Sequence, residues 1–347
     1  MPLFPGDVAP AFHAPSPGNP RYNFASVGGR YVVLVFLPGA VTPQALDALA
    51  TARRHRVLFD DETRCLFGVL ADAEQFAQAR DEVPGIRWLH DVDGEVARLY
   101  EIDAPAWVVI DPSLRILFTA PLDQAAEVMA RLALLDDVDG HAGVTLTAPV
   151  LIAPRIFDAD LCRRLIAYYE ADGGTPSGVM REIDGKTVGV LDGYKKRRDT
   201  MINDPDLARE TREALTTRLA PQIRKVFQFK VSHIERYMVA CYDAQDGGYF
   251  KPHRDDTTPG TAHRRFACSI NLNAEDFEGG DLTFAEFGPK TYRPPTGGAV
   301  VFSCSLMHEA TSVTKGKRYA FLPFFYDEAG AAIRQANLGT FDTAAEA

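Results

Sequence analysis

Residues 31–37 read YVVLVFL, seven apolar positions without a polar break. Such a run, rich in β-branched side chains, predicts a strand covered on both faces. Residues 65–71 predict a second buried strand. Between the two, Leu46, Leu49 and Ala50 recur at helical spacing with charge opposite, predicting a helix over 43–56. Shorter helices follow over 73–80 and 94–100. Strands over 107–111 and 115–120 flank an Asp-Pro-Ser turn, and an amphipathic helix over 125–135 closes the series. Strands alternating with helices and ending in a hairpin predict an α/β layer domain over residues 1–135. Its first 30 residues are rich in Pro and Gly and read as an irregular entry with short extended pieces.

The pattern changes at 136–150 (DDVDGHAGVTLTAPV), which reads as a linker with His141 solvated. Phe157-Asp158-Ala159-Asp160 is a helix-capping sequence ahead of a helix over 161–169. Residues 173–198 are polar and Gly-rich, and the basic run Lys195-Lys196-Arg197-Arg198 within them reads as a solvated loop ahead of the alternative, a site that attracts an acidic partner. Leu207, Thr211, Leu215, Leu219, Ile223 and Val226 mark one face of a long helix over 206–227. Beyond it the period switches to two. Strands are predicted over 232–242, 250–253, 265–272, 281–284, 299–302 and 318–325. Helices followed by such a series predict a mainly-β sandwich or barrel with a helical buttress, over 151–347.

A length of 347 residues suits two domains, and 46% hydrophobic with 24% charged residues suits a globular protein. The formal net charge of -10 argues against nucleic acid and anionic membranes as partners. No apolar run approaches the ~20 residues of a membrane span. The start, MPLFPGDVAPAF, lacks the basic and apolar regions of a secretory signal. Cys65, Cys162, Cys241, Cys268 and Cys304 are odd in number, widely spaced and without a CxxC pair. They suggest reduced, buried thiols in a cytoplasmic protein, and neither disulfides nor structural zinc. Trp88 and Trp107 read as core residues.

The chemistry concentrates between Tyr242 and Arg318. His253-Arg254-Asp255 places two metal-binding side chains two residues apart, and His308 adds a third. Two His and one carboxylate on one side of a metal leave Fe(II) open positions for a co-substrate and oxygen. Lys317-Arg318 follows. An acid co-substrate chelating the iron at one end needs a cation at the other, and an Arg fork matches a carboxylate best.

Two family resemblances accompany these patterns. PGDVAPAF, YVVLVFLPGAVTP, DVDGEVARLY and WVVIDPSLRI resemble the peroxiredoxin branch of the thioredoxin-like fold, over about residues 3–135. The peroxidatic Cys of such enzymes follows the Thr-Pro of that loop; here Thr42-Pro43 leads into Gln44 and Ala45. Without a thiolate there is no nucleophile for a peroxide, and Cys65 lies inside an apolar strand. The expectation is a redox-inactive domain kept for packing or partner binding, with Pro105 a candidate for the fold's cis-proline.

MVACYDAQDGGYFKPHRDD, INLNAEDFEGGDLTF and MHEATSVTKGKRYAFLPFFYD resemble the Fe(II)- and 2-oxoglutarate-dependent dioxygenases of the prolyl 4-hydroxylase-like group, over about residues 150–327. The resemblance implies a double-stranded β-helix, the jelly-roll barrel. It assigns His253, Asp255 and His308 to iron, Arg318 to the far carboxylate of 2-oxoglutarate and Tyr242 to a hydroxyl beside it. Asn271 would face the co-substrate or pack elsewhere on the barrel. Fe(II), 2-oxoglutarate and O2 are the implied cofactors, with ascorbate an accessory. The implied reaction is C–H hydroxylation of a prolyl residue in a peptide or protein, with release of succinate and CO2. A free amino acid or other small molecule stays open as substrate. So do a binding or sensing protein with little turnover and a thiol reductase built on Cys65. Arg264 and Arg265 read equally as substrate contacts or as a surface pair, and Asp256 as an exposed or supporting acid. Gly279-Gly280 reads as a turn.

Overall fold

The computed structural model describes residues 3–37 and 42–340. The chain divides into two units, Met1–Ala148 with Ala285–Pro289, and Pro149–Phe284 with Lys290–Ala347.

In the first unit, Tyr31–Leu37 is the central strand of a five-stranded sheet. It runs parallel to Arg64–Leu70 and antiparallel to Ala106–Ile110. Ile86–His90 and Ile116–Pro121 form the edges. All seven residues of the central strand are buried because both faces are covered. Val33, Val35 and Trp107 pack with Ala48, Leu49, Val128 and Met129 from the helices Pro43–Arg54 and Ala125–Ala133. On the other face Phe36 meets Tyr100, and Phe67 meets Phe24. Trp88 and Trp107 are both buried, with their indole N–H groups donated to the carbonyls of Arg80 and Leu122.

The pattern reading omitted the strand Ile86–His90. Its sequence, IRWLH, is short and carries Arg87 in the middle. Its place is set by packing. Gly68 is the register partner of Trp88, and a Cβ on Gly68 would lie 2.3 Å from the indole ring. Pro105 is trans; the cis X-Pro bond among the described residues is Val83-Pro84. His141 is half-buried rather than solvated: it bonds the Val138 carbonyl and the Ser113 hydroxyl, at 2.8 and 3.0 Å.

The loop residues 38–41, which belong to the Thr-Pro comparison above, lie outside the described residues. Thr42 itself caps the helix Pro43–Arg54, accepting from the Ala45 N–H. All five cysteines are buried.

The second unit opens with the strand Leu151–Ala153 and the helix Ala159–Asp172, capped by Asp158 and ended by Gly173 in the left-handed region. The expected long helix is three segments, Pro205–Ala214, a π turn at Leu215–Leu219, and Ala220–Phe227. Pro221 has no N–H to continue the α ladder, which accounts for the wide turn. The extra residue rotates the face that follows it. Leu207, Thr211, Leu215, Leu219 and Ile223 are buried as expected, but Val226 is exposed.

Two sheets follow. The larger runs in the order His233–Glu235, Phe324–Tyr326, Phe266–Asn271, Lys317–Phe321, Met238–Asp243, Arg198–Met201 and Thr175–Pro176, with Ala299–Ser303 paired to Phe266–Asn271. The smaller runs Lys195–Lys196, Tyr249–His253, His308–Ala310, Leu282–Thr283 and Thr291–Tyr292. Alternation along the larger sheet divides its faces. Val239, Cys241, Tyr319 and Phe321 pack against helix residues Leu161, Leu165, Leu219 and Ile223. Their neighbours Tyr242 and Arg318 line a cavity that the smaller sheet also lines. This is the helix-buttressed jelly roll expected.

Two strand expectations change. The predicted strand over 232–242 breaks at Arg236, whose φ is 67°. The stretch 173–198 is not a solvated loop. It holds the antiparallel hairpin of Val179–Ile183 with Lys186–Val190, and then two short strands. No described helix is long and apolar enough to cross a membrane.

Burial pushes the Cys65 thiol up to about 12, so at pH 8 about one molecule in ten thousand would carry its thiolate. Native protein at pH 8 should therefore leave Cys65 unlabelled by iodoacetamide over an hour, with labelling after unfolding in urea. Rapid native labelling, read by peptide mass spectrometry, would reinstate Cys65 as a reactive thiol.

Candidate metal centre

His253 ends its strand, and His308 opens the neighbouring one as its register partner. Asp255 lies just past the strand end and is held there by its N–H on the Cys304 carbonyl, 2.9 Å. One potential ligand atom from each of the three lies within 4.8 Å of the others. The Asp255 carboxylate oxygens are 3.6 Å from His253 Nε2 and 3.4 Å from His308 Nε2. Each ring faces a main-chain carbonyl through Nδ1, His253 that of Lys251 at 2.7 Å and His308 that of Leu306 at 3.0 Å. A carbonyl can only accept, so each Nδ1 carries a proton, and in the neutral ring Nε2 then presents its lone pair. That tautomer is the one a metal requires.

The electrostatics agree. Burial, reinforced by His308, drives His253 well below its usual range and keeps it neutral. Burial opposes ionisation of Asp255, but His308, His253, Arg264 and Arg236 outweigh it and hold its carboxyl below the usual range. Two imidazoles with converging Nε2 atoms and one carboxylate form a donor set that fits Fe(II).

Across the cavity, Arg318 is 3% exposed while Lys317 faces the surface near Glu170 and Asp243. Arg318 Nη2 donates to Ser269 Oγ at 2.8 Å and Nε to Asn271 Oδ1 at 3.4 Å. Its guanidinium lies over the Tyr242 ring, 5.1 Å from the centroid. Nη1 is buried without a partner. A buried guanidinium with an unused N–H and no carboxylate bonded to it is the feature a carboxylate ligand would complete. Asn271 thus reaches the site through Arg318, and its amide N–H is committed to the Pro294 carbonyl. The Tyr242 hydroxyl accepts from Arg197 Nη1 at 3.3 Å. Gly280 permits the close approach here: its φ is 67°, and a Cβ would lie 2.7 Å from Val313 and 3.2 Å from Arg318.

Several functional candidates escaped the pattern reading. Lys195 and Arg197 are buried, whereas Lys196 and Arg198 are exposed. Four consecutive cations hide this alternation from hydropathy; Asp199, two residues after Arg197 and paired with it at 2.7 Å, is the signal that could have exposed it. Arg264 is also buried rather than on the surface, paired with Glu235 at 2.6 Å. Arg265 stays partly exposed near Asp327. Asp256 accepts from the Ser305 hydroxyl.

Residues 237–326 match the family described as the 2OG-Fe(II) oxygenase superfamily, and residues 5–119 match the AhpC/TSA family. These two stretches of the chain are similar to the two families, each match covering less than half of the chain. A PKHD-type hydroxylase of Cupriavidus metallidurans is 28% identical over 149 residues, 40% of this chain and 64% of that relative. The chain thus spans less than two thirds of that relative's length. The PKHD-type hydroxylase PiuC of Pseudomonas aeruginosa is 28% identical over 190 residues, 52% of this chain and 78% of that protein. Among solved structures, a Pseudomonas putida prolyl-4-hydroxylase aligns with 52% of this chain and 94% of its own, at 21% identity and a TM-score of 0.41.

Glu235 supplies a test of the buried network beside the site. Burial opposes its ionisation, but Arg264 and His263 hold its carboxyl well below the usual range. Glu235→Gln would strand the Arg264 charge and should cost about 3–5 kcal/mol at pH 7. A depressed folded pKa means that the carboxylate's contribution is complete above the unfolded value, near 4.5, and fades as pH falls. Urea unfolding should show the gap between wild type and variant narrowing below that pH. A gap constant down to the acid limit of folding would assign the loss to shape instead.

Proposed function

We propose that this chain is an Fe(II)- and 2-oxoglutarate-dependent oxygenase that hydroxylates a C–H bond. The observation that carries the reading is the pairing of a convergent His253–Asp255–His308 set with the unsatisfied guanidinium of Arg318 inside one cavity. Iron(II), when bound with 2-oxoglutarate and O2, supplies the oxidation, and the co-substrate leaves as succinate and CO2. Ascorbate belongs to the same reading as the agent that keeps iron reduced.

The residues of the chain have separable tasks. His253 and His308 offer Nε2 because their Nδ1 protons are held by main-chain carbonyls. Asp255 adds one negative charge and leaves the remaining metal positions open. Arg318 receives the 5-carboxylate of 2-oxoglutarate, with Ser269 and Asn271 fixing the guanidinium plane. Tyr242 offers its hydroxyl to the same carboxylate. Phe250, Leu282, Phe302, Ala310 and Phe324 line the cavity and limit water at the reacting centre. The AhpC/TSA-family domain has no part in this chemistry on our reading, since Gln44 and Ala45 stand where the peroxidatic Cys would follow Thr42-Pro43.

Anaerobic titration of the protein with Fe(II) and 2-oxoglutarate should produce a weak visible charge-transfer band, and air should then release succinate. His308→Ala should abolish the band. Arg318→Ala should retain metal binding but raise the 2-oxoglutarate concentration needed for half the band by roughly 100-fold, the loss expected when a buried charge pair is broken. Folded wild-type protein that gives no band would reject the assignment of all four residues.

A further inference from the structure

The cavity carries more positive charge than iron and 2-oxoglutarate account for. Five cations line it or adjoin it, namely Lys195, Arg197, Arg236, Arg264 and Arg318, against three carboxylates, Asp199, Glu235 and Asp255. Three of the cations have fixed duties. Arg197 holds Asp199 in a two-pronged pair at 2.7 Å on each arm. Arg264 holds Glu235. Arg318 faces the position proposed for the co-substrate. Charges on iron(II) and the 2-oxoglutarate dianion cancel, and Asp255 offsets Arg318. Lys195 and Arg236 are left without a carboxylate of their own, Arg236 sharing Asp199 with Arg197.

Both are placed for a ligand. Lys195 is 8% exposed. Its ammonium donates to Ser177 Oγ at 2.6 Å and the Gly178 carbonyl at 2.9 Å, both neutral acceptors. It lies 4.9 Å from the centroid of Phe250, the ring stacked on His253. Arg236 approaches from the other sheet. It sits in the left-handed region at φ 67°, an uncommon conformation for a long side chain, between Glu235 and the strand Met238–Asp243. Its one hydrogen bond goes to the Met238 sulfur, and the nearest carboxylate, Asp199, is 3.7 Å away and already taken by Arg197. Both line the same cavity as the metal-binding side chains. Burial, with Arg197 beside it, drives the Lys195 ammonium well below its usual range, and the Arg236 side chain is 26% exposed, so an anion reaching both would hold Lys195 in its charged form.

We infer that Lys195 and Arg236 bind an anionic oxygen group of the substrate, a carboxylate or phosphate, so that the enzyme oxidises a small acidic molecule. The inference rests on the oxygenase reading above and departs from its family precedent. A prolyl residue within a neutral peptide carries no charge and would give neither cation an anionic partner from the substrate.

The test is calorimetric titration of the anaerobic protein loaded with Fe(II) and 2-oxoglutarate. The probes are the free L-amino acids, short monocarboxylates and inorganic phosphate, each acid beside its primary amide, with a neutral capped prolyl tripeptide for contrast. At least one anion should bind, about 10-fold or more tightly than its amide. Lys195→Met and Arg236→Gln should each weaken that anion by about 10-fold or more, with the charge-transfer band and 2-oxoglutarate affinity within about twofold of wild type. A carboxylate that binds without phosphate identifies the group, and the reverse does likewise. Acids and amides binding alike, no anion binding at all, preferred binding of the neutral peptide, or loss of 2-oxoglutarate affinity in the two variants would each overturn the inference. If wild type gives no band, the iron reading fails separately. Anion binding to the metal-free protein would then decide, upheld if Arg318→Ala retains it and Lys195→Met loses it. Lys195→Arg, which keeps the charge, should retain most of the affinity and guards against a folding defect in the Met variant.

Discussion

Removing a guanidinium from water costs several kcal/mol unless hydrogen bonds and a counter-charge replace the solvent. Arg318 meets this requirement only in part. Ser269 and Asn271 take two of its N–H groups and Tyr242 offers its ring face, yet Nη1 is left unpaired. Much of the carboxy-terminal unit is explained by what is needed to hold that group in place. Helices cover the outer face of the larger sheet, so the strand of Arg318 is anchored through Tyr319 and Phe321. Gly280 permits the chain to pass close to the Arg318 side chain. The smaller sheet brings the His253–Asp255–His308 set to the opposite wall of the same cavity.

Charge is neutralised in pairs elsewhere in this interior. Arg197 with Asp199 is a two-pronged contact of the kind a planar guanidinium makes best, and Arg264 donates twice to one oxygen of Glu235, whose other oxygen meets His263. They order the walls without leaving net charge. Lys195, which has only neutral acceptors, and Arg236, which shares Asp199 with Arg197, depart from that pairing beside the His253–Asp255–His308 set. Departures from local economy are where function is expected in a folded chain.

The amino-terminal unit shows the contrasting case, a sheet buried on both faces with little charge to accommodate. Cys65 sits in that apolar sheet, and the surroundings that stabilise the strand raise its thiol out of the reactive range. Packing chemistry and thiol chemistry make opposite demands, and here packing prevails.

Long apolar runs and the switch in period were readable along the chain, because each depends on neighbours one to four positions away. The central strand Tyr31–Leu37, the helix Pro43–Arg54 and the strand Ala299–Ser303 follow from such local pattern. His253, Asp255, His308 and Arg318 were also legible as candidates, since their types and order carry the chemistry. Whether their atoms converge depended on the pairing of the His253 and His308 strands and on Gly280. The strand Ile86–His90 needed Gly68 beneath Trp88, a contact between residues far apart in sequence. The break at Arg236, the π turn before Pro221, and the burial of Lys195 and Arg197 within a run of four cations were likewise decided only in three dimensions. Hydropathy reports the nature of a side chain, whereas its burial depends on the partner that the fold sets opposite it.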